Sequence, residues 1–161
     1  MQTFLPYDDF IQSAKVLDSK RLGKQRVEVA QILHAIIDES GWIYHPATHM
    51  WRGHTNTLVG YGIAICEEWI RRGHADTCLA RIQAFYNSSK NHSLPPWFGI
   101  EDFHAAHRSN LVRKVPEYGK LFEEDGSLPY CWPLFKNGKW HMRFKHAGAP
   151  AYLLEKEYIL K

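Results

Sequence analysis

The chain has 161 residues, 45% of them hydrophobic and 23% charged, a balance that excludes disorder and fibre and is enough for one globular domain with a proper core. Twenty Lys and Arg against 17 Asp and Glu leave a formal charge of +3, too small to establish a polyanion partner unaided. Three separated cysteines, Cys66, Cys78 and Cys131, form no C-x-x-C pair, which argues against a disulfide framework or a thiolate zinc site and for a reducing compartment.

The opening run Met1-Gln2-Thr3-Phe4-Leu5-Pro6 lacks the basic and long apolar regions of a signal peptide, and no apolar run reaches the roughly 18 residues of a membrane span. The expectation is a soluble, cytoplasmic protein with no membrane partner. Asp8 or Asp9 is placed to cap a brief helix through Phe10, Ile11, Ala14 and Leu17, and Asp18 to cap a longer one. At 100° per residue Leu22, Val29, Leu33 and Ile36 fall within about 40° of one line, which predicts a buried stripe on a helix from about Ser19 to Asp38. Gly41 marks its exit.

Pro46 disfavours helical backbone at His45, so a loop follows or a new helix begins there. From about Thr55 to Arg72 apolar residues surround most of the circumference, which predicts a central helix ending at Gly73. Asp76 is placed to cap a helix carrying Leu79, Ile82, Ala84 and Phe85, followed by a polar loop from Asn87 to Pro96. A further helix fits Glu101 to Lys114, and Pro116 with Glu117 opens a short turn containing Tyr118, Leu121 and Phe122. Asn137-Gly138 sits between strand-like runs and predicts a hairpin, because a type I′ turn needs two positive φ angles. The expected fold is mainly α: a compact single-domain helical bundle with a C-terminal β-hairpin.

Four groups of residues carry possible chemistry. Lys20, Arg21, Lys24 and Arg26 crowd one helix and are followed by Glu28. They read either as a solvated flank with a Lys24–Glu28 pair, or as a phosphate-gripping helix whose carboxylate can stabilise positive charge at a sugar. His45, His49 and His54 surround Trp51 and Arg52. Spacing of i,i+4 is compatible with metal binding, but no carboxylate or thiolate completes a set, so no metal is expected. A polar rim touching phosphate or base competes there with ordinary packing. His104, His107 and Arg108 share a helical face, and Lys136, Lys139, His141, Arg143 and Lys145 interleave with Trp140. Each suits either phosphate contact or an ordinary exposed element. The lack of a Walker loop or a Gly-x-Ser-x-Gly elbow argues against nucleotide hydrolysis and serine-esterase chemistry.

The run Leu17-Asp18-Ser19-Lys20-Arg21-Leu22-Gly23-Lys24-Gln25-Arg26-Val27-Glu28, with His45-Pro46 to His54 and Glu67-Glu68-Trp69-Ile70-Arg71-Arg72-Gly73-His74, resembles the pyrimidine-dimer DNA glycosylase family over roughly the first half of the chain. The resemblance implies residues 1–75 as the family-like helical half and 76–161 as helices plus a hairpin extension of one domain. It implies a cofactor-free enzyme that flips a nucleotide from double-stranded DNA containing a damaged or modified pyrimidine, and acts as a monomer. An N-terminal amine would attack the sugar C1′ to form a Schiff base, with Glu28 supporting the developing charge and the later elimination. Arg21, Lys24 and Arg26 resemble the family's phosphate clamp, and His54 sits where the family has a histidine; Lys20, His45, His49 and Arg52 are expected to add DNA contacts beside them.

Gln2 is too bulky for ordinary removal of the initiator residue, so the amine would be that of Met1. Either the terminus folds back to the site, or Lys20 or Lys24 substitutes, or lyase chemistry is lost. An α-amine, with an ordinary pKa near about 7.7, is a usable nucleophile where an unperturbed lysine is not. The alternatives are a nucleic-acid-binding module without catalysis and a glycosylase for another modified base.

Overall fold

The computed structural model describes residues 1–158 and, among them, seven helices followed by a three-stranded sheet: α1 Phe10–Val16, α2 Ser19–Asp38, α3 Pro46–Trp51, α4 Thr55–Arg71, α5 Leu79–Gln83, α6 Glu101–Lys114, α7 Tyr118–Phe122, β1 Tyr130–Lys136, β2 Lys139–Lys145 and β3 Leu154–Tyr158. The protein is mainly α, with a C-terminal hairpin to which a third strand is added. No helix among the described residues is long and apolar enough to cross a membrane. The chain divides into two compact units, the first formed by Met1–Phe4 with Asp9–Pro95, the second by Leu5–Asp8 with the chain from Pro96 onward.

In the first unit the helix starts follow their caps. Asp9 accepts the Gln12 N–H at 2.7 Å to open α1, and Asp18 accepts the Arg21 N–H at 3.1 Å to open α2, each satisfying an otherwise orphaned donor. Pro46 opens α3 with its missing N–H at no cost, and His45 caps it through Nδ1. Helix α2 packs on α3, α4 and α5, and α1 and α5 pack on α4. Leu22, Val29, Ile32 and Leu33 of α2 meet Leu58, Tyr61 and Ile65 of α4 in a fully buried core, each such side chain stabilising the fold by roughly 1.5–3 kcal/mol.

Two glycines set how closely the helices approach. A Cβ at Gly62 would lie 2.7 Å from Val29 Cγ1 and 2.9 Å from Ile82 Cγ2, and one at Gly23 would lie 2.9 Å from the Trp69 ring. Only hydrogen fits at either place.

The second unit is built on α6, which packs on α7 and β1. His104 and His107 are buried and serve the backbone of Leu5: its N–H donates to His107 Nδ1 at 3.0 Å, and His104 Nδ1 sits 2.8 Å from its carbonyl. The Gly99 N–H donates to His104 Nε2 at 3.0 Å, so Nδ1 carries the proton and is the donor to Leu5 O. Arg108 donates to Pro6 O at 2.9 Å. The phosphate-contact reading of this helical face therefore gives way to packing, because His104 Nδ1, His107 Nδ1 and Arg108 are engaged in pinning residues 5 and 6.

The hairpin is in the register expected, Lys136 opposite Lys139 with Asn137 and Gly138 at φ 52° and 75°, as a type I′ turn requires. Beyond the predicted hairpin, β3 pairs antiparallel with β2. Its charges are matched across the sheet, Glu155 with Lys136 and His141, and Glu157 with Lys139 at 2.7 Å.

Candidate active site at the N-terminal segment

The clearest departure from the sequence reading is the flank of α2 that carries Glu28. Instead of facing water, Gln25 and Glu28 are 1% and 7% exposed, because residues 2–4 lie over them. Gln25 holds this segment with its whole amide. Nε2 donates to Gln2 O at 2.6 Å and to Glu28 Oε2 at 2.8 Å, while Oε1 accepts the Phe4 N–H at 2.9 Å.

The Tyr61 hydroxyl lies 2.7 Å from both Gln25 Oε1 and Phe4 O and shares its one proton between them. Burial, and then the nearby charge of Glu28, push the Tyr61 phenol well above its usual range, so it is a hydrogen-bond donor and not a base. Trp51 Nε1 donates to Thr3 Oγ1 at 3.0 Å, which ties the same segment to α3.

The consequence is positional. The backbone N–H of Gln2 points at Glu28 Oε2 over 3.5 Å, so the residue carrying the terminal amine lies one peptide unit from the carboxylate. Lys24 Nζ stands 3.7 Å from the other oxygen, Oε1, with its own side chain 71% exposed. The terminal amine also acts on His45, whose imidazole is held below its ordinary value by burial, then by the positive terminal amine, then by His49. Glu28 is thus flanked by the Gln2 N–H and by Lys24, and the terminal amine bears on both His45 and, through Gln2, the neighbourhood of this carboxylate.

The remaining residues singled out from the sequence are placed differently. Lys20 is exposed in the first turn of α2. Arg21 faces Asp18 at 3.5 Å. Arg26 turns inward, its guanidinium 2.5 Å from Asp76 and stacked 4.3 Å over Trp69, and Asp76 also accepts the Cys78 and Leu79 N–H groups. Burial pushes the Asp76 carboxyl up, but those N–H groups and Arg26 hold it below the ordinary range. Arg52 donates to Ile43 O at 2.9 Å. His54 is half-buried with Nδ1 3.3 Å from Ser93 O, and burial lowers its pKa against that hydrogen bond. Among the described residues, no group of three His, Cys, Asp or Glu side chains is arranged to hold a metal ion.

Gln25, Tyr61 and Thr3 were not anticipated. Gln25 carried a usable signal: at 100° per residue it lies only about 60° from Leu22, and a polar amide beside an apolar stripe implies a buried partner.

This arrangement lies within residues 1–82, which match the family model of pyrimidine dimer DNA glycosylase. The match covers half of the chain, and the chain belongs to that family. No curated protein and no solved structure matches it.

Proposed function

We propose that the protein is a DNA glycosylase with abasic-site lyase activity, acting as a monomer on double-stranded DNA that contains a pyrimidine dimer and needing no cofactor. The observation that carries this reading is the Gln2 N–H held against Glu28, which brings the terminal amine and a buried carboxylate together. The nitrogen lone pair of Met1 attacks C1′, the glycosidic C–N bond breaks, and the departing pyrimidine takes the bonding electron pair. Glu28 stabilises the positive charge that builds on the sugar. Loss of a proton from nitrogen leaves a glycosylamine, whose lone pair then expels O4′: the C1′–O4′ bond breaks, O4′ keeps the electron pair and takes up a proton as the 4′-hydroxyl, and the protonated Schiff base forms. Removal of a C2′ proton then expels the 3′ phosphate, with Glu28 the nearest carboxylate to accept that proton.

Lys20, Arg21 and Lys24 lie along α2 in the turns before Glu28 and serve as phosphate contacts, as do His45 and His49. The inward position of Arg26 supports a different role, that of holding α2 to Asp76 and Trp69.

The test is borohydride trapping on an abasic duplex and on a dimer-containing duplex, followed by mass spectrometry of the linked peptide. A covalent adduct at Met1 is expected. An adduct at Lys20 or Lys24 would move the nucleophile, and base release without an adduct would leave a glycosylase lacking lyase chemistry. DNA binding with neither product would select a non-catalytic module. Release from a different modified pyrimidine in place of the dimer would change the substrate and keep the mechanism.

A further inference from the structure

Side chains alternate between the two faces of a strand, and residues opposite one another across a ladder share a face. The register therefore puts Lys136 of β1, Lys139, Arg143 and Lys145 of β2, and Glu155 and Glu157 of β3 on one face of the C-terminal sheet. Cys131 and Met142, which are 0% and 1% exposed, fill the opposite face. Four cations thus share the first face with two carboxylates. Glu155 pairs with Lys136 and Glu157 with Lys139, and among the described residues neither Arg143 nor Lys145 forms an ion pair.

These two cations are ordered by an aromatic ring instead. The Arg143 guanidinium lies 4.4 Å over the Tyr152 ring, and Lys145 Nζ is 5.7 Å from the centre of the same ring. Arg143 Nε is buried with no hydrogen-bond partner. A ring attracts a cation through its negative face but takes up none of its N–H donors and leaves its charge in place, whereas a carboxylate would neutralise it. Trp132 stands opposite Arg143 and Tyr130 opposite Lys145, and those two rings stack at 6.1 Å. A third cation, Arg113, lies 5.0 Å over Tyr130. Holding like charges this close is unfavourable for the fold alone, and a bound anion removes that repulsion.

We infer that this face of the sheet is a second DNA-contact surface, on which Arg143 and Lys145 each take a backbone phosphate of duplex DNA. The inference rests on the reading of duplex DNA as substrate, and it places contacts outside residues 1–82, where the family match ends. Charge complementarity selects this occupant. Duplex DNA carries one negative charge per roughly 1.7 Å of its axis, so neighbouring phosphates meet both cations at once, and a planar guanidinium donates to two oxygens of one phosphate. Stacking on Tyr152 orders Arg143 before binding, which reduces the side-chain entropy lost when DNA arrives.

The experiment titrates the full-length protein, over a range of salt concentrations, with an undamaged duplex and with the same duplex carrying a thymine dimer. Arg143→Gln with Lys145→Gln is expected to reduce the slope of log K against log salt by about two phosphate contacts and to weaken binding about tenfold at low salt. The loss should be equal on the two duplexes, because phosphate contacts carry no base information. Arg143→Lys, which keeps the charge, should keep the wild-type slope. An unchanged slope in the double variant would overturn the proposal and leave the face to an acidic protein, and a loss confined to the dimer duplex would overturn it as well. Melting temperatures check the fold, and should the double variant unfold, Lys145→Gln alone is expected to show about half the change in slope. Base release by the wild-type protein is measured separately: its absence refutes the glycosylase reading, while the salt titrations still decide the role of the sheet.

Discussion

The backbone N–H of Gln2 and the carboxylate of Glu28 face each other across 3.5 Å, with the Gln25 amide bonded to both residues. A terminal segment has many ways to fray, and here one glutamine removes them by using both N–H donors and, twice, its one oxygen. Residues 2–4 are held in place before any substrate arrives, which would lower the entropic cost of positioning the amine in the reaction proposed above.

Glu28→Gln tests the carboxylate with little change of shape. The new side chain still offers an oxygen to Gln25 Nε2, so folding and DNA binding should be retained, with the melting temperature close to wild type. The chemical step should slow by at least about 100-fold, the usual effect of removing a charge-stabilising group. Single-turnover base release at saturating enzyme measures this, and a rate equal to wild type would remove Glu28 from the mechanism.

Lys24 and Arg26 are both cations of α2, yet they should respond in opposite ways. Lys24→Ala should leave stability nearly unchanged and reduce the slope of log K against log salt by about one phosphate contact. Arg26→Met should leave that slope alone and cost about 3 kcal/mol of stability, because the Asp76 side chain is only 6% exposed and would lose its cation. Urea unfolding and DNA titrations over a range of salt concentrations separate the two. A flattened slope for Arg26→Met would make that arginine a phosphate contact after all.

Local signals marked most of the helices well. Asp18 and the Leu22 stripe gave α2 its bounds, and Asn137-Gly138 gave the hairpin its turn, since in each case neighbouring residues decide the outcome. The burial of Glu28 was not legible, because it depends on residues 2–4 lying along α2, a pairing made by Gln25 across more than 20 positions. Arg26 looked like its neighbours Lys20 and Arg21 until Asp76, 50 positions away, took it inward. Strand β3 escaped notice because its sequence, Leu154-Glu155-Lys156-Glu157-Tyr158, offers charges where a strand packed on a core shows apolar residues. It is an edge strand held by pairing and cross-strand charge.

Gly62→Ala should be destabilising even though alanine is the better helix former. The added methyl meets Val29 Cγ1 at 2.7 Å and Ile82 Cγ2 at 2.9 Å, and both neighbours are β-branched and stiff about χ1. Helix α4 must move away from α2 and α5, at a cost of about 1–3 kcal/mol, or roughly 5 °C in melting temperature. An unchanged melting temperature would mean that the helices part without loss.

His107 makes the second unit sensitive to acid. Complete burial, and then the neighbouring His104, lower its pKa to about 3, whereas an unfolded histidine titrates near about 6.5. Above that unfolded value both states are neutral and the stability is fully present. Below it the unfolded chain takes up a proton that the folded chain refuses, so stability falls by about 1.4 kcal/mol per pH unit until the folded pKa is reached. His104 is shifted in the same direction, chiefly by burial, and adds to the loss. His107→Asn keeps an acceptor for the Leu5 N–H near the position of Nδ1, but it does not titrate. It should start less stable, having lost the ring packed 4.3 Å from Phe103, yet lose less on going from pH 7.5 to 5. Urea unfolding at the two pH values gives the difference for each protein, and equal losses for wild type and His107→Asn would show that His107 is not the acid-sensitive group.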